Sequence, residues 1–353
     1  MGKPIDKLTI RGFKSIRCIE DFPLGNLNIM IGANGAGKSN FVNFFELFRL
    51  AFEEEFCERK VFQNYVKEQG RSDQYFYLGP KFTRSIDAQI CCGETHKFTF
   101  SLKPLAEGEL KYNFETIGNM YGRNRDERLE YFSGLSRGVI RDWVVYHFHD
   151  TTALAEVRRI RSKRDNEYLR ADAGNLAAFL LRVRKKSPES YRKIREVVQL
   201  AAPFFDDFLL RQEEDSDDIL LEWRQKHTDY PFGPNQLSDG TLRFICLATA
   251  LLQPDAPKIM LFDEPELGLH PYALTLLAEM FKKASHQTQV IVSTQSATLI
   301  DHFEPDDIIV VERDKGESVF KRLNADKLKD WLQDYSLGEL WRKNIFGGRP
   351  GHE

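Results

Sequence analysis

Apolar runs of strand length alternate with helical repeats along this chain, an order typical of α/β domains. The run LNIMI at 27–31 precedes a glycine-rich turn, after which apolar residues recur at three- and four-residue spacing. Two later runs, 258–262 and 289–293, have the length and the near-continuous apolar character of buried strands. The pattern therefore predicts a mixed sheet with an amphipathic helix packed against it.

The middle of the chain divides into a β-rich part and a helical part. Between about 75 and 120, the runs FYLGP, RSIDAQICC, HKFTFSLK and LKYNFETI are separated by Gly, Pro and charged turns, which predicts an antiparallel sheet. From about 151 to 205, apolar residues recur at helical spacing, without the sustained heptads of a long coiled coil. We therefore expect a first lobe over 1–150, a charged helical insertion over 151–225 and a second lobe over 226–353.

A closing hairpin and a helix are predicted near the end of the chain. DDIIVVERDKGESVFKRL has the pattern of the hairpin, and the helix after it is followed by a Gly- and Pro-containing tail. This last part has many large apolar residues, which either dock on the domain's own core or cover a partner protein. They are Trp331, Leu332, Tyr335, Leu337, Leu340, Trp341 and Phe346.

The composition is that of an ordinary globular protein: 42% of the 353 residues are apolar, and the net charge is −3. The opening MGKPIDKLTIRGF lacks the apolar core of a signal peptide, and no stretch approaches the roughly 18 apolar residues of a membrane span. We therefore expect a cytoplasmic protein with no membrane partner. The cysteines form no CxxC pair, which predicts reduced, mostly structural thiols. They are Cys18, Cys57, Cys91, Cys92 and Cys246.

Charge is segregated in the predicted insertion. Residues 151–200 carry 13 Lys and Arg against 6 Asp and Glu, whereas residues 206–222 carry 8 acidic residues and only Arg211. Such blocks are either solvated faces and mutual ion pairs, or a basic surface for nucleic-acid phosphates or an acidic partner. The near-neutral total charge does not demand nucleic acid. The basic surface would consist of Arg158, Arg159, Arg161, Lys163 and Arg164.

The glycine-rich turn has the Walker A spacing Gly32-x-x-x-x-Gly37-Lys38-Ser39 between the predicted strand and helix. Glycines let backbone N–H groups converge on phosphate oxygens, and the helix N-terminus adds a partial positive charge. Lys38 supplies a cation for the β- and γ-phosphates, and the Ser39 hydroxyl can ligate Mg²⁺. The predicted ATP-binding residues of this loop are Gly32, Asn34, Gly35, Ala36, Gly37, Lys38, Ser39 and Asn40.

Two adjacent carboxylates follow the apolar run at 258–262. Neighbouring residues of a strand point to opposite faces, so Asp263 and Glu264 can carry different tasks. Asp263 suits Mg²⁺, directly or through water, whereas Glu264 suits a general base that polarises a water for attack on the γ-phosphate. Gln295, after the run at 289–293, is a weaker candidate for contact with the γ-phosphate. The predicted catalytic residues are Lys38, Glu264 and Gln295.

Two histidines alternate in VVYHFHDTT, at 144–152, on one side of a predicted strand. His147 and His149 could ligate a metal, but no third ligand lies nearby in the sequence. A buried structural pair is therefore favoured over a metal site.

A second helix start with anion-binding chemistry lies at QLSDGTLR, 236–243. Ser238 is a good helix N-cap, and the long apolar helix predicted after it would direct N–H groups toward an anion. One nucleotide needs only one phosphate cradle, so this second helix start requires a separate explanation.

Together, GANGAGKS, LSDGT, FDEPELGLHP and STQSATLI occur in the order of an ABC-type ATPase head. The chain resembles the RecF/SMC-like branch, close to the ATPase part of overcoming-lysogenization-defect proteins and related bacterial defence ATPases. The opening LTIRGFKSI is typical of that branch, and the motifs span Leu8 to Ile300. The resemblance implies an α/β P-loop NTPase fold with a mixed sheet, an antiparallel β-subdomain and a helical insertion.

In such heads, Ser238 and Gly240 would bind the γ-phosphate held by the phosphate loop of a second protomer. The resemblance therefore implies an ATPase that dimerises around ATP and Mg²⁺ and controls a nuclease or toxin on a separate polypeptide. Gln295 stands where related heads usually have a switch histidine, which would weaken γ-phosphate sensing or slow hydrolysis. The alternative is a DNA-binding repair ATPase similar to RecF; a transporter subunit is less favoured because LSGGQ is absent.

Overall fold

The computed structural model describes residues 5–57, 61–92, 96–105, 109–117, 143–211 and 216–349. Three members of the predicted acidic block, at 213–215, lie outside that part of the chain. Within it, no helix is both long enough and apolar enough to cross a membrane.

Strands and α-helices alternate along the chain. The strands are β1 (Lys7–Phe13), β2 (Ile16–Pro23), β3 (Leu27–Ile31), β4 (Ile86–Cys92), β5 (His96–Pro104), β6 (Leu110–Ile117), β7 (Trp143–Tyr146), β8 (Arg161–Ser162), β9 (Phe205–Phe208), β10 (Asp218–Ile219), β11 (Trp223–Gln225), β12 (Pro231–Phe232), β13 (Ile259–Asp263), β14 (Gln289–Thr294), β15 (Ile308–Asp314) and β16 (Glu317–Arg322). The α-helices are α1 (Lys38–Cys57), α2 (Phe62–Glu68), α3 (Leu176–Lys186), α4 (Pro188–Ala201), α5 (Asp239–Leu252), α6 (Pro271–Ser285), α7 (Ala297–Ile300), α8 (Ala325–Leu328) and α9 (Leu337–Arg342).

These elements form two compact units, each built from segments that are not consecutive. The first comprises Met1–Val145, Pro257–Leu261 and Thr288–Glu353, and the second comprises Tyr146–Ala256 and Phe262–Gln287. This division differs from the three consecutive parts expected from the sequence. The C-terminal segment joins the first unit because its strands β14 and β15 pair with β3.

A six-stranded mixed sheet has the strand order β16-β15-β3-β14-β13-β7. β3 is parallel to both of its neighbours, and its last residue, Ile31, pairs with Thr294 on one side and Val310 on the other. Every residue of β3 and β14 is buried, which explains their near-continuous apolar sequences. β15 and β16 form the predicted closing hairpin.

The first unit also contains an antiparallel sheet with the order β2-β1-β4-β5-β6. Three of the predicted β-like runs are β4, β5 and β6, whereas FYLGP forms a single bridge, between Phe76 and Phe13. Helix α1 buries aromatic side chains three and four residues apart. The ring of Phe48 lies 5.4 Å from that of Phe100 in β5 and 5.5 Å from that of Trp143 in β7.

The second unit is built around α5, against which α4 and α6 pack. The ten residues from Leu242 to Leu251 are all buried, as expected for a helix surrounded by other elements. In the described part of the predicted insertion, the α-helices are α3 and α4. Residues 151–175 instead form turns, a short 3₁₀ helix and β8, and short strands lie within residues 205–211 and 216–232.

The last helix of the chain docks on the first unit. In α9, which packs against α7, Leu337 and Leu340 are buried. The N–H of Gly338 donates to the Asp301 carboxylate over 2.6 Å. Leu337 and Leu340 therefore dock on the chain's own core, which is one of the two alternatives predicted for this apolar segment. In contrast, 44% of Trp331 is exposed.

The cysteine side chains that the structure describes are free thiols. Burial raises the pKa of both Cys92 and Cys246 to about 12, so their thiolate forms are scarce near neutral pH. This agrees with the expected structural role of these thiols.

Candidate functional site

The phosphate loop of the first unit joins β3 to α1, which begins at Lys38. The Lys38 ammonium donates to the carbonyl oxygens of Gly32, over 2.8 Å, and Ala33, over 3.0 Å. Only 4% of Lys38 is exposed, whereas Ser39 beside it is exposed. Because the first turn of a helix has N–H groups without intrahelical partners, this loop combines a fixed ammonium with backbone donors.

Hydroxyl groups from two other segments stabilise the loop, one from the turn between β1 and β2 and one from the start of β16. The Ser318 hydroxyl donates to the Ala36 carbonyl over 2.6 Å and lies 2.7 Å from the Ser15 hydroxyl, which accepts from the Asn40 amide over 2.7 Å. Gly37 has φ +113°, and a Cβ there would lie 2.0 Å from the Ser318 hydroxyl oxygen. The loop conformation thus requires glycine at this position, and the Asn40 amide supports the loop.

Gln295 lies at the same edge of the mixed sheet as the loop. Thr294, the last residue of β14, pairs with Ile31, the last residue of β3. Gln295 and Gly32 therefore follow neighbouring parallel strands. Its contact with a γ-phosphate stays a prediction.

The two predicted carboxylates are in the second unit, where β13 ends and a turn begins. Asp263 is the last residue of β13, whereas Glu264 lies after the strand with a left-handed φ of +42°. We expected strand alternation to direct the two side chains to opposite faces, but Glu264 lies outside the strand, so alternation does not apply to it. A left-handed φ is uncommon for a residue other than glycine. Both side chains are partly buried.

The turn that contains Ser238 begins α5 with a side-chain cap. The Ser238 hydroxyl accepts from the N–H of Thr241 over 3.1 Å, and Ser238 itself is exposed. Gly240 packs so closely on the next turn that a Cβ there would lie 2.2 Å from the Gly268 carbonyl oxygen. The capped turn and the turn that follows Glu264 are therefore direct neighbours within one unit.

Arg243 fastens these two turns together. Its guanidinium donates to the carbonyl oxygens of Phe148, over 2.9 Å, and His149, over 3.0 Å, and also to that of Leu267. Arg243 thereby joins α5, the turn after Glu264 and the segment after β7. Burial lowers the pKa of this guanidinium, but arginine keeps its charge near neutral pH.

His147 and His149 do not lie on a strand, because β7 ends at Tyr146. Their ring centroids are 6.5 Å apart. His149 lines a small cavity with Asp263 and Glu264, and burial lowers its pKa, with Asp263 acting in the opposite direction. Among the described residues, no group of three or more His, Cys, Asp or Glu could hold a metal ion.

The basic segment 158–164 is not a free cationic surface. Arg158 is buried, which contradicts the prediction that it belongs to a basic surface. It can be buried because its guanidinium donates hydrogen bonds to backbone carbonyls and pairs with Asp239. The other four side chains form ion pairs. Arg159 and Arg161 pair with Glu156, and Lys163 and Arg164 pair with Asp217. Mutual pairing, one of the two readings of the charge blocks, describes this segment.

For four residues of the site, the sequence gives no signal of the role that they play in the structure. Ser15 and Ser318 brace the phosphate loop, although they are 303 positions apart. Arg158 and Arg243 are arginines in a chain with many charged residues, and only their carbonyl contacts distinguish them.

The family model described as "AAA domain, putative AbiEii toxin, Type IV TA system" matches residues 27–301. Energy-coupling factor transporter ATP-binding proteins EcfA2 of Lactiplantibacillus plantarum and Ligilactobacillus salivarius are each 31% identical, over 110 and 109 residues. Those matches cover 30% of this chain and 35% and 36% of the relatives, so the chain spans about a third of their length.

Solved structures share the fold over almost the whole chain. An Smc head bound to the C-winged helix domain of ScpA is 19% identical with a TM-score of 0.64, covering 92% of this chain and 99% of that one. The Smc head with an extended coiled coil, bound to the C-terminal domain of ScpA from Pyrococcus furiosus, is 17% identical with a TM-score of 0.62, covering 94% and 98%.

Proposed function

Because this chain belongs to the AAA domain family described with AbiEii toxins, and is an ABC-type ATPase of the RecF/SMC-like branch, we propose that it is an ATP-gated switch. Two copies pair when ATP is bound and separate after hydrolysis. Each nucleotide is held by the phosphate loop of one copy and capped by the Ser238 turn of the other.

Within one copy, the phosphate loop holds the nucleotide. The backbone N–H groups at the start of α1 bind phosphate oxygens, and the Lys38 ammonium adds the positive charge. The braces from Ser15 and Ser318 keep this loop in shape before the nucleotide arrives, which lowers the entropy lost on binding.

Mg²⁺ fits the donors that the chain offers. Ser39 is exposed, and its hydroxyl and the Asp263 carboxylate are oxygen groups of the kind that this ion prefers. When bound, Mg²⁺ neutralises charge that develops on the phosphates. Glu264 orients the attacking water and accepts its proton, so Glu264→Gln retains ATP and hydrolyses it on the order of 10²-fold more slowly.

The observation that carries the proposal is the contact between Gly240 and the Gly268 carbonyl. It joins the capped helix start to the turn that follows Glu264 within one rigidly packed region. A phosphate bound at Ser238 therefore has a direct route by which it can affect Glu264. In this proposal the second helix start, besides capping its own helix, binds the γ-phosphate of the nucleotide held by the other copy.

The pairing of two copies is coupled to an effector, for which we propose a nuclease or toxin on a separate polypeptide in a bacterial defence system. The family description, which names a toxin and a type IV toxin–antitoxin system, supports this setting. The ion pairs that residues 158–164 form with Glu156 and Asp217 give no support to DNA binding by that segment, so the RecF-like alternative is not favoured.

The solution mass of Glu264→Gln, measured by light scattering with and without Mg-ATP, tests the proposal. We expect a monomer without nucleotide and twice that mass with saturating Mg-ATP, because blocked hydrolysis keeps the nucleotide between the two copies. The double variant Ser238→Ala, Glu264→Gln should stay monomeric with ATP. A mass that ATP does not change would contradict ATP-gated pairing.

A further inference from the structure

Arg158 is almost completely buried, with 5% of its side chain exposed. Its Nε donates to the Thr151 carbonyl over 2.9 Å, and its Nη2 lies 2.8 Å from the Asp239 carboxylate. Nη1 donates to the Pro234 carbonyl, and both terminal nitrogens lie 3.4 Å from the Leu237 carbonyl. A single guanidinium thus joins residue 151 to three positions just around Ser238.

Those three positions bracket the predicted phosphate-binding turn. Leu237 and Asp239 are the residues immediately before and after Ser238, and Pro234 begins the short 3₁₀ helix that leads into the turn. Resting on the proposed function, we propose that Arg158 is a positioning residue that holds the Ser238–Gly240 turn ready for the γ-phosphate of a second copy. It acts through the turn and does not touch the nucleotide itself.

The second part of its role is electrostatic. Asp239 is 67% exposed and lies between Ser238 and Gly240, so its negative charge would repel an incoming phosphate. Arg158 pairs with that carboxylate from the buried side and offsets its charge. Arginine suits both tasks because its planar guanidinium has five donors in fixed directions, whereas lysine has one point charge.

Neighbouring basic residues do not share this arrangement. Arg159 donates to the Leu154 carbonyl and pairs with Glu156, and 51% of its side chain is exposed. Neither partner belongs to the Ser238 turn. Arg159→Met is therefore a matched control that removes an adjacent guanidinium of the same segment.

The experiment compares steady-state ATP hydrolysis by Arg158→Met, Arg158→Lys and Arg159→Met. We expect kcat/KM to fall about tenfold or more in Arg158→Met, the effect of losing one charge-assisted interaction. The affinity of each isolated copy for a fluorescent ATP analogue should stay within about twofold of wild type. The reason is that the phosphate loop belongs to the first unit of the chain, whereas Arg158 belongs to the second. Arg159→Met should retain wild-type values of both.

A charge rescue separates positioning from general destabilisation. In Arg158→Met the Asp239 carboxylate is unpaired, so adding Asp239→Asn should recover part of the lost kcat/KM by lowering KM. A purely structural loss would give no recovery, and that result would overturn the electrostatic role. If Arg158→Met proves unfolded by circular dichroism, Arg158→Gln, which also removes the positive charge, carries the same comparison with and without Asp239→Asn.

Mixing experiments show on which copy Arg158 acts. Arg158→Met and Lys38→Ala should each be weakly active alone, but a mixed pair has one interface with an intact phosphate loop and an intact Ser238 turn. We expect activity well above that of either variant. No recovery, with both proteins folded, would mean that Arg158 serves its own nucleotide, which overturns the proposal.

Ser238→Ala distinguishes failure of this inference from failure of the proposed function. If Ser238→Ala retains wild-type turnover, the pairing of copies through that turn is wrong. If Ser238→Ala loses turnover while Arg158→Met retains it, the pairing stands and only the role of Arg158 is wrong.

Discussion

Lys38 is the residue on which nucleotide binding depends most directly. Its ammonium is buried and already lies against the loop carbonyls of Gly32 and Ala33, so little side-chain entropy is lost when phosphate binds. Lys38→Ala should weaken ATP binding about ten- to a hundredfold, since it removes a charge-assisted hydrogen bond. Fluorescence titration with an ATP analogue measures this change.

Lys321→Ala is the control for Lys38→Ala. Lys321 pairs with Glu312, and 63% of its side chain is exposed, so its loss should leave ATP affinity unchanged. Equal affinity in Lys38→Ala and wild type would disprove the assignment of the phosphate loop.

At the scale of elements, Ser238 and Ser336 each cap the start of a helix, but the two helices differ in predicted function. Ser238 caps α5 over 3.1 Å, and Ser336 caps α9 over 3.3 Å through the N–H of Glu339. Each serine-to-alanine change should reduce the free energy of unfolding by about 1 kcal/mol. Only Ser238→Ala should also lose ATP hydrolysis, because α9 has no predicted contact with nucleotide.

Denaturant unfolding and steady-state hydrolysis of both variants check this prediction together. If both variants lose turnover to the same extent, the effect of Ser238→Ala is a stability effect, and its role in phosphate binding is wrong.

At the scale of the whole molecule, the proposal requires that ATPase activity depends on the pairing of two copies. Specific ATPase activity of the wild-type protein should rise with protein concentration until pairing is complete, because each active site needs residues from both copies. Hydrolysis rates over a dilution series at saturating Mg-ATP measure this. Constant specific activity down to the lowest measurable concentration would contradict a site shared between copies.

The sequence predicts the local features of this protein better than its long-range features. The strand-turn-helix around Gly37 and Lys38, the helix start at Ser238 and the closing hairpin depend on residues close in the chain, so spacing and turn chemistry are enough to find them. The prediction that the chain is helical from about 151 to 205 is wrong for residues 151–175. There, Arg158 and its carbonyl partners stabilise an irregular path that helical spacing cannot reveal.

The sequence by itself determined the motif residues, the apolar strands and the family resemblance, because each is encoded within a short stretch of chain. Only the tertiary structure decided how the segments divide into two units, since that depends on β14 and β15 pairing with β3 across more than 250 positions. The tertiary structure likewise decided which groups Arg158 and Ser318 contact. A charged or hydroxyl side chain takes its role from the acceptors that folding places beside it, and those acceptors lie far away in the sequence.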